Sequence, residues 1–127
     1  MERYESWIER AKSSYDLSKA AISPAIFFED LCYQAQQTVE KALKGLLLYY
    51  GVEPVFTHNI GVLLNELGKH TEVTDTIREA MKLTNYAVQT RYPGEYDDIT
   101  REEYENALRI AKHCLDWVER EIKEKAR

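Results

Sequence analysis

Between Phe27 and Tyr50 the chain reads FFEDLCYQAQQTVEKALKGLLLYY, with no proline and a single glycine. A strand usually spans about five or six residues, so this run is too long to be one. Its residues are mostly good helix formers, and Gly45 is a modest penalty. Phe28, Leu31, Cys32, Ala35, Val39, Ala42, Leu43, Leu46, Tyr49 and Tyr50 recur at helical spacing and mark one apolar face. Gln37, Glu40, Lys41 and Lys44 mark the opposite side, which Tyr33, Leu47 and Leu48 interrupt. An ordinary surface helix has one apolar stripe. Large apolar groups on two sides predict a helix that is central in a bundle and also meets a second chain. Leu47, Leu48 or Tyr33 then lies near a subunit interface.

The flanking segments read as further helices. The first spans roughly Glu2 to Ala21, with Tyr4, Trp7, Ile8, Ala11, Tyr15 and Ile22 as its stripe. Ser23-Pro24 ends it, because the residue before proline is pushed out of the helical region. Gly51 is placed for a left-handed cap on the central helix. Thr57 is a candidate cap for a short third helix from His58 to about Lys69. A fourth is predicted from about Val73 to Thr90, with Ile77, Ala80, Met81, Tyr86, Ala87 and Val88 facing inward. Thr100 and Glu103 form a capping box that opens the last helix, which runs to about Lys125. No long stretch alternates with period two, so strands are not expected. The expected fold is all-α: one domain over residues 1–127, an up-and-down bundle of four long helices and one short one.

Composition narrows the function classes. The formal net charge is −5, with both signs mixed along the chain, which argues against bulk attraction to nucleic acid or membrane but leaves room for a local basic site. No apolar run approaches membrane-spanning length, and the N-terminus is charged from its start, so a soluble cytoplasmic protein is expected. Cys32 and Cys114 each fall on an apolar helix face and read as buried free thiols.

No phosphate-binding glycine loop, Cys-x-x-Cys pair or His-Glu-x-x-His motif occurs, and the three histidines are far apart. A metal site is therefore not expected. Acidic residues before and in the first turn of the last helix suit its positive dipole end. The stretch RYPGEYDDIT, from Arg91 to Thr100, is unlike a helix and unlike a spacer. Arg91 offers a planar fork of donors and Tyr92 a stacking face, a combination that suits a phosphate and a base. The competing reading ties Arg91 to Glu40 or to the acidic groups of its own loop. Lys41 and Lys44 lie on the polar side of the central helix, either solvated or, for Lys44, paired with Glu40 at i, i+4. The candidate site is placed where the Arg91–Asp98 loop meets that side. Asp97 would accept from a ribose hydroxyl or hold Arg91, and His58 enters if the start of the third helix packs nearby.

Three ordered blocks, CYQAQQTVEKALKGLLLYYGVEP, THNIGVLLNEL and TNYAVQTRYPGEYDDIT, resemble the HEPN domain family (higher eukaryotes and prokaryotes nucleotide-binding) over nearly the whole chain. The resemblance implies a helical bundle, usually a homodimer, often encoded beside a minimal nucleotidyltransferase as a toxin–antitoxin pair. It implies nucleotide binding for some members and metal-independent ribonuclease activity for many. Ribonuclease members carry an Arg, four to six arbitrary residues, then a His. Here Tyr96, Asp97 and Asp98 stand at the corresponding positions after Arg91, and only three residues separate Arg109 from His113. The leading expectation is a non-catalytic module that binds a nucleotide such as ATP or GTP, or RNA, and pairs with a nucleotidyltransferase. No other cofactor is expected. The alternatives are a ribonuclease toxin and a structural interaction module without a ligand.

Overall fold

The structure, a computed structural model, describes residues 3–20, 23–87 and 98–126. The all-α expectation holds. The elements are α1 (Tyr4–Ser18), α2 (Phe28–Tyr49), α3 (Ile60–Leu67), α4 (Asp75–Arg78) with a 3₁₀ segment (Glu79–Tyr86) continuing from it, and α5 (Arg101–Lys125). None of these helices is long and apolar enough to cross a membrane.

Helix α2 is the centre of the bundle and contacts α1, α3, α5 and the 3₁₀ segment. Tyr4 meets Tyr49 edge-on at 5.2 Å, and Lys41 near mid-helix reaches Ser14, so α1 runs antiparallel to α2. The two backbones approach closely because Gly45 has no side chain. A Cβ there would stand 2.8 Å from Ile8 Cδ1 and 3.1 Å from Trp7 Cβ. Phe28 stacks on Tyr104 at 4.9 Å, and the Tyr104 hydroxyl donates to the Ser18 carbonyl at 2.5 Å. These contacts bring the start of α5 to the start of α2. Leu43, Leu46, Leu47, Leu63, Leu64, Ala111 and Val118 are fully buried in the shared core.

The caps explain most boundaries. Gly51 has φ +79°, in the left-handed region, as its position after α2 predicts. Thr100 Oγ1 accepts from Glu103 N at 3.1 Å. The Glu103 carboxylate accepts from the Tyr86 hydroxyl, which ties α5 to the 3₁₀ segment. Asn59, not Thr57, caps α3 by accepting from Val62 N, so His58 lies in the preceding loop and outside the helix. The α1 helix stops at Ser18.

The fourth helical segment differs in kind from the expected one. After one α turn it tightens to three residues per turn, and Ile77, Ala80, Leu83 and Tyr86 then share a face at spacing three. Three of these are buried and Tyr86 packs against the core. The tighter winding turns Met81 outward, to 47% exposure, where an α-helical reading places it inside. Val88 lies outside the described residues.

Leu47 also departs from expectation. It is fully buried within the protomer and has no surface to offer a second chain. Helix α3 packs on α2 and the loop before it reaches Glu40 through His58, contacts distant in sequence that local periodicity cannot show. Tyr33 and Leu48 remain half-buried. Cys32 and Cys114 are buried free thiols, as expected, and desolvation pushes the Cys114 thiol up to about 12.

Candidate functional site

The polar side of α2 is not the solvated face that its composition suggests. Gln36, Glu40 and Lys44, spaced four apart, form one ridge and are all buried, with Glu40 at 4% and Lys44 at 7% exposure. Each polar group on this ridge finds a partner, as buried polar groups must. Lys44 Nζ donates to Glu40 Oε2 at 2.8 Å. Gln36 Nε2 donates to Glu40 Oε1 at 3.0 Å and to the His58 carbonyl at 3.3 Å. Gln36 Oε1 accepts from Gln37 Nε2 at 2.9 Å. The Lys44 ammonium also sits 5.7 Å from the centre of the Trp7 ring of α1.

His58 completes the cluster. Its Nδ1 lies 2.9 Å from Glu40 Oε1, while 62% of its side chain stays exposed. An exposed imidazole is thus held by a buried carboxylate from a different element. Burial alone would raise the Glu40 pKa. Hydrogen bonds from Lys44, Gln36 and His58 outweigh it and hold the carboxyl below its ordinary value. Glu40 is therefore ionised at neutral pH and can only accept hydrogen bonds. The Nδ1 of His58 must then carry the hydrogen of this bond, and Glu40 accepts it. No hydrogen bond to Nε2 occurs among the described residues.

A depressed folded pKa has a definite consequence for stability. The contribution of Glu40 is complete above the ordinary carboxylate pKa of about 4.3 and declines as pH falls through the lower folded value. Urea midpoints between pH 7 and pH 3 should show this loss in the wild type, and Glu40→Gln should flatten it. An equally steep acid limb in Glu40→Gln would assign acid sensitivity to other carboxylates.

Lys41 points the other way, toward α1. Its Nζ donates to Ser14 Oγ at 2.9 Å. Desolvation lowers its pKa, Glu40 pulls it back up, and the like charge of Arg10 lowers it further. Lys44 and His58 thus meet at Glu40, while Lys41 is held on the α1 side by Ser14. Arg91, Tyr92 and Asp97 lie outside the described residues. Gln36 and Ser14 escaped the sequence reading. The available signal was the i, i+4, i+8 spacing of Gln36, Glu40 and Lys44 on a helix expected to be central.

Two other polar regions are less suited to a ligand. An open groove of about 520 Å³ between α1 and α5 is lined by Tyr15, Arg109, Lys112, His113 and Asp116 among others. Its cations are already engaged: Lys112 with Asp116 at 2.9 Å, and Arg109 with Asn106 at 2.9 Å. His70 stacks on Tyr50 at 5.3 Å with the rings nearly parallel, so its side chain is engaged in packing. Among the described residues, no three His, Cys, Asp or Glu side chains are placed to hold a metal ion.

Residues 4–122 match the HEPN domain family. The chain belongs to that family. This HEPN domain is 33% identical to TT1696 from Thermus thermophilus, whose crystal structure superposes with a TM-score of 0.81 over 94% of this chain and 98% of that one. It is 30% identical to ST0689, an archaeal HEPN homologue, with a TM-score of 0.76 over 96% of this chain and 99% of that one. It is 26% identical to the protein named "Putative toxin MJ1304" from Methanocaldococcus jannaschii, over 94% of this chain and 88% of that protein.

Proposed function

We propose that this HEPN domain is a toxin-like component that binds RNA or a nucleotide and works in the cytoplasm as a homodimer, paired with a minimal nucleotidyltransferase. The carrying observation is the meeting of Lys44 and the exposed His58 at the buried carboxylate of Glu40, with Lys41 on the adjoining α1 side. Lys44 neutralises Glu40, and Lys41, bonded to the neutral Ser14 hydroxyl, leaves a positive charge on α2 that favours an anionic ligand. The toxin name carried by a relative supports the same reading. Binding of this kind needs no catalysis and no Arg–His motif. The homodimer reading now rests on half-buried Tyr33 and Leu48 and on the habit of the family, without Leu47.

Arg91 and Tyr92 would supply paired donors and a stacking ring to the ligand, with Asp97 holding the ribose or Arg91. Arg91→Ala is expected to weaken binding of a short single-stranded RNA by more than about tenfold while the fold is retained, since hydrogen bonds to charged groups contribute about 2 kcal/mol. Fluorescence anisotropy with RNA, ATP and GTP in parallel checks this. Equal binding by wild type and Arg91→Ala would move the site elsewhere. Failure of all three ligands to bind would leave an interaction module. A second reading, a ribonuclease, is favoured by one observation, the linkage of His58 to Glu40.

A further inference from the structure

Several lysines of this protein meet carboxylates. Lys12 lies 3.4 Å from Glu119, Lys44 2.8 Å from Glu40 and Lys112 2.9 Å from Asp116. A carboxylate partner favours the ammonium form, and Asp116 raises the Lys112 pKa accordingly. Lys41 is placed differently. Its Nζ donates at 2.9 Å to the hydroxyl of Ser14, a neutral group that is itself buried. The lysine is half-buried between α1 and α2. Glu40, one residue before it, gives its two carboxylate oxygens to Lys44, Gln36 and His58. Desolvation lowers the Lys41 pKa, Glu40 on its own helix opposes this, and the like charge of Arg10 on α1 lowers it again. More of this amine is therefore uncharged at neutral pH than of an ordinary solvated lysine, and the uncharged amine is the nucleophile. The half-buried position favours a small electrophile. The neighbouring positive charges of Arg10 and Lys41 favour one that is an anion. A small acyl phosphate meets both conditions.

We propose that Lys41 is an acylation site: it takes a small acyl group from an acyl phosphate, and the acylated domain holds RNA less tightly. The effect on binding rests on the reading above, in which the charge of Lys41 favours the anionic ligand. The uncharged Nζ attacks the carbonyl carbon of the donor, and a carbon–nitrogen bond forms. The bond from that carbon to the phosphate oxygen breaks, and phosphate leaves with the electron pair. The proton that the nitrogen sheds goes to the departing phosphate. Nothing is oxidised or reduced. The product amide keeps one N–H, which can still donate to Ser14 Oγ. The contact between α1 and α2 is thus retained, and the positive charge alone is lost.

The test uses the full chain at neutral pH, acetyl phosphate in limiting amount and a short single-stranded RNA. Peptide mass spectrometry should find Lys41 acetylated ahead of Lys123 and Lys125, which are exposed in the last turn of α5. Arg10→Glu, a change at an exposed position, should remove that lead. Treated wild type should bind RNA about tenfold more weakly, the scale of one charge-assisted contact. Its salt slope should also be smaller by about 0.7, one phosphate contact on a single strand. Lys41→Arg keeps the charge and has no amine to acylate. It should bind RNA as untreated wild type does and keep that affinity after treatment. Acetylation of Lys41 no faster than of Lys123 and Lys125 would overturn the proposal. An equal loss of binding by treated Lys41→Arg and treated wild type would overturn it too. Untreated protein that binds no RNA would overturn the reading above and the effect on binding, while the order of acetylation would still decide the site.

Discussion

Lys44→Ala is expected to lower the unfolding free energy by about 3 kcal/mol, the usual consequence of leaving a buried charge without its partner. Lys44 Nζ is the donor to Glu40 Oε2, at 2.8 Å. The bonds from Gln36 and His58 both go to Oε1, so neither replaces it without rearrangement. The substitution also empties the space beside Trp7, whose ring the ammonium faces. Urea unfolding followed by tryptophan fluorescence gives the midpoint and slope. A loss below about 0.5 kcal/mol, the range of surface substitutions, would mean that water reaches Glu40 in solution. The i, i+4 pairing of Lys44 with Glu40 that the sequence suggests is present, but the pair is buried where the sequence reading has a solvated or ligand-facing charge. Its buried position makes its loss a matter of stability before binding.

Gly45→Val should be damaging to a similar degree, about 3 kcal/mol, the upper part of the range for overpacking. A Cβ at this position meets Ile8 Cδ1 at 2.8 Å, Trp7 Cβ at 3.1 Å and the Tyr4 carbonyl oxygen at 3.3 Å. The tip of Ile8 can swing aside. The root of Trp7 and the backbone of Tyr4 move only if α1 moves as a unit. Alanine gains about 1 kcal/mol of helix propensity over glycine, which offsets part of its clash, and valine adds two methyls without that gain. Thermal unfolding of both variants checks the order, with Gly45→Val well below Gly45→Ala. Equal melting temperatures for Gly45→Val and wild type would show that α1 and α2 cross less closely than described.

Helices α2 and α5 show what a sequence can and cannot convey. Helix α2 was legible because its apolar spacing continues for 22 residues and ends at a glycine with positive φ. Helix α5 was legible from Thr100 and Glu103 at its start. These signals are local. The burial of Glu40 and Lys44 was not legible, because a buried polar ridge and a solvated one have the same spacing. What distinguishes them is Trp7 above and the Val52–Asn59 loop beside, both distant in sequence. Leu47 was misplaced for the same reason. The fourth segment was misread because tertiary contacts of Ile77, Ala80 and Leu83 select a three-residue period, which intrinsic propensity does not favour. His58 enters the candidate site if the start of the third helix packs near the meeting of α2 and the Arg91–Asp98 loop; its contact with Glu40 sets it against α2, and Arg91, Tyr92 and Asp97 lie outside the described residues.

One contact carries the account of the site: His58 Nδ1, 2.9 Å from Glu40 Oε1, with its hydrogen given to the carboxylate. Long-range proton–nitrogen correlation NMR of ¹⁵N-labelled protein at neutral to mildly alkaline pH reads that hydrogen directly. The predicted spectrum has the His58 Nδ1 resonance in the protonated range, with the pattern lost in Glu40→Gln. A neutral ring carrying its hydrogen on Nε2, or a spectrum in which the two tautomers average as in a free peptide, would contradict it.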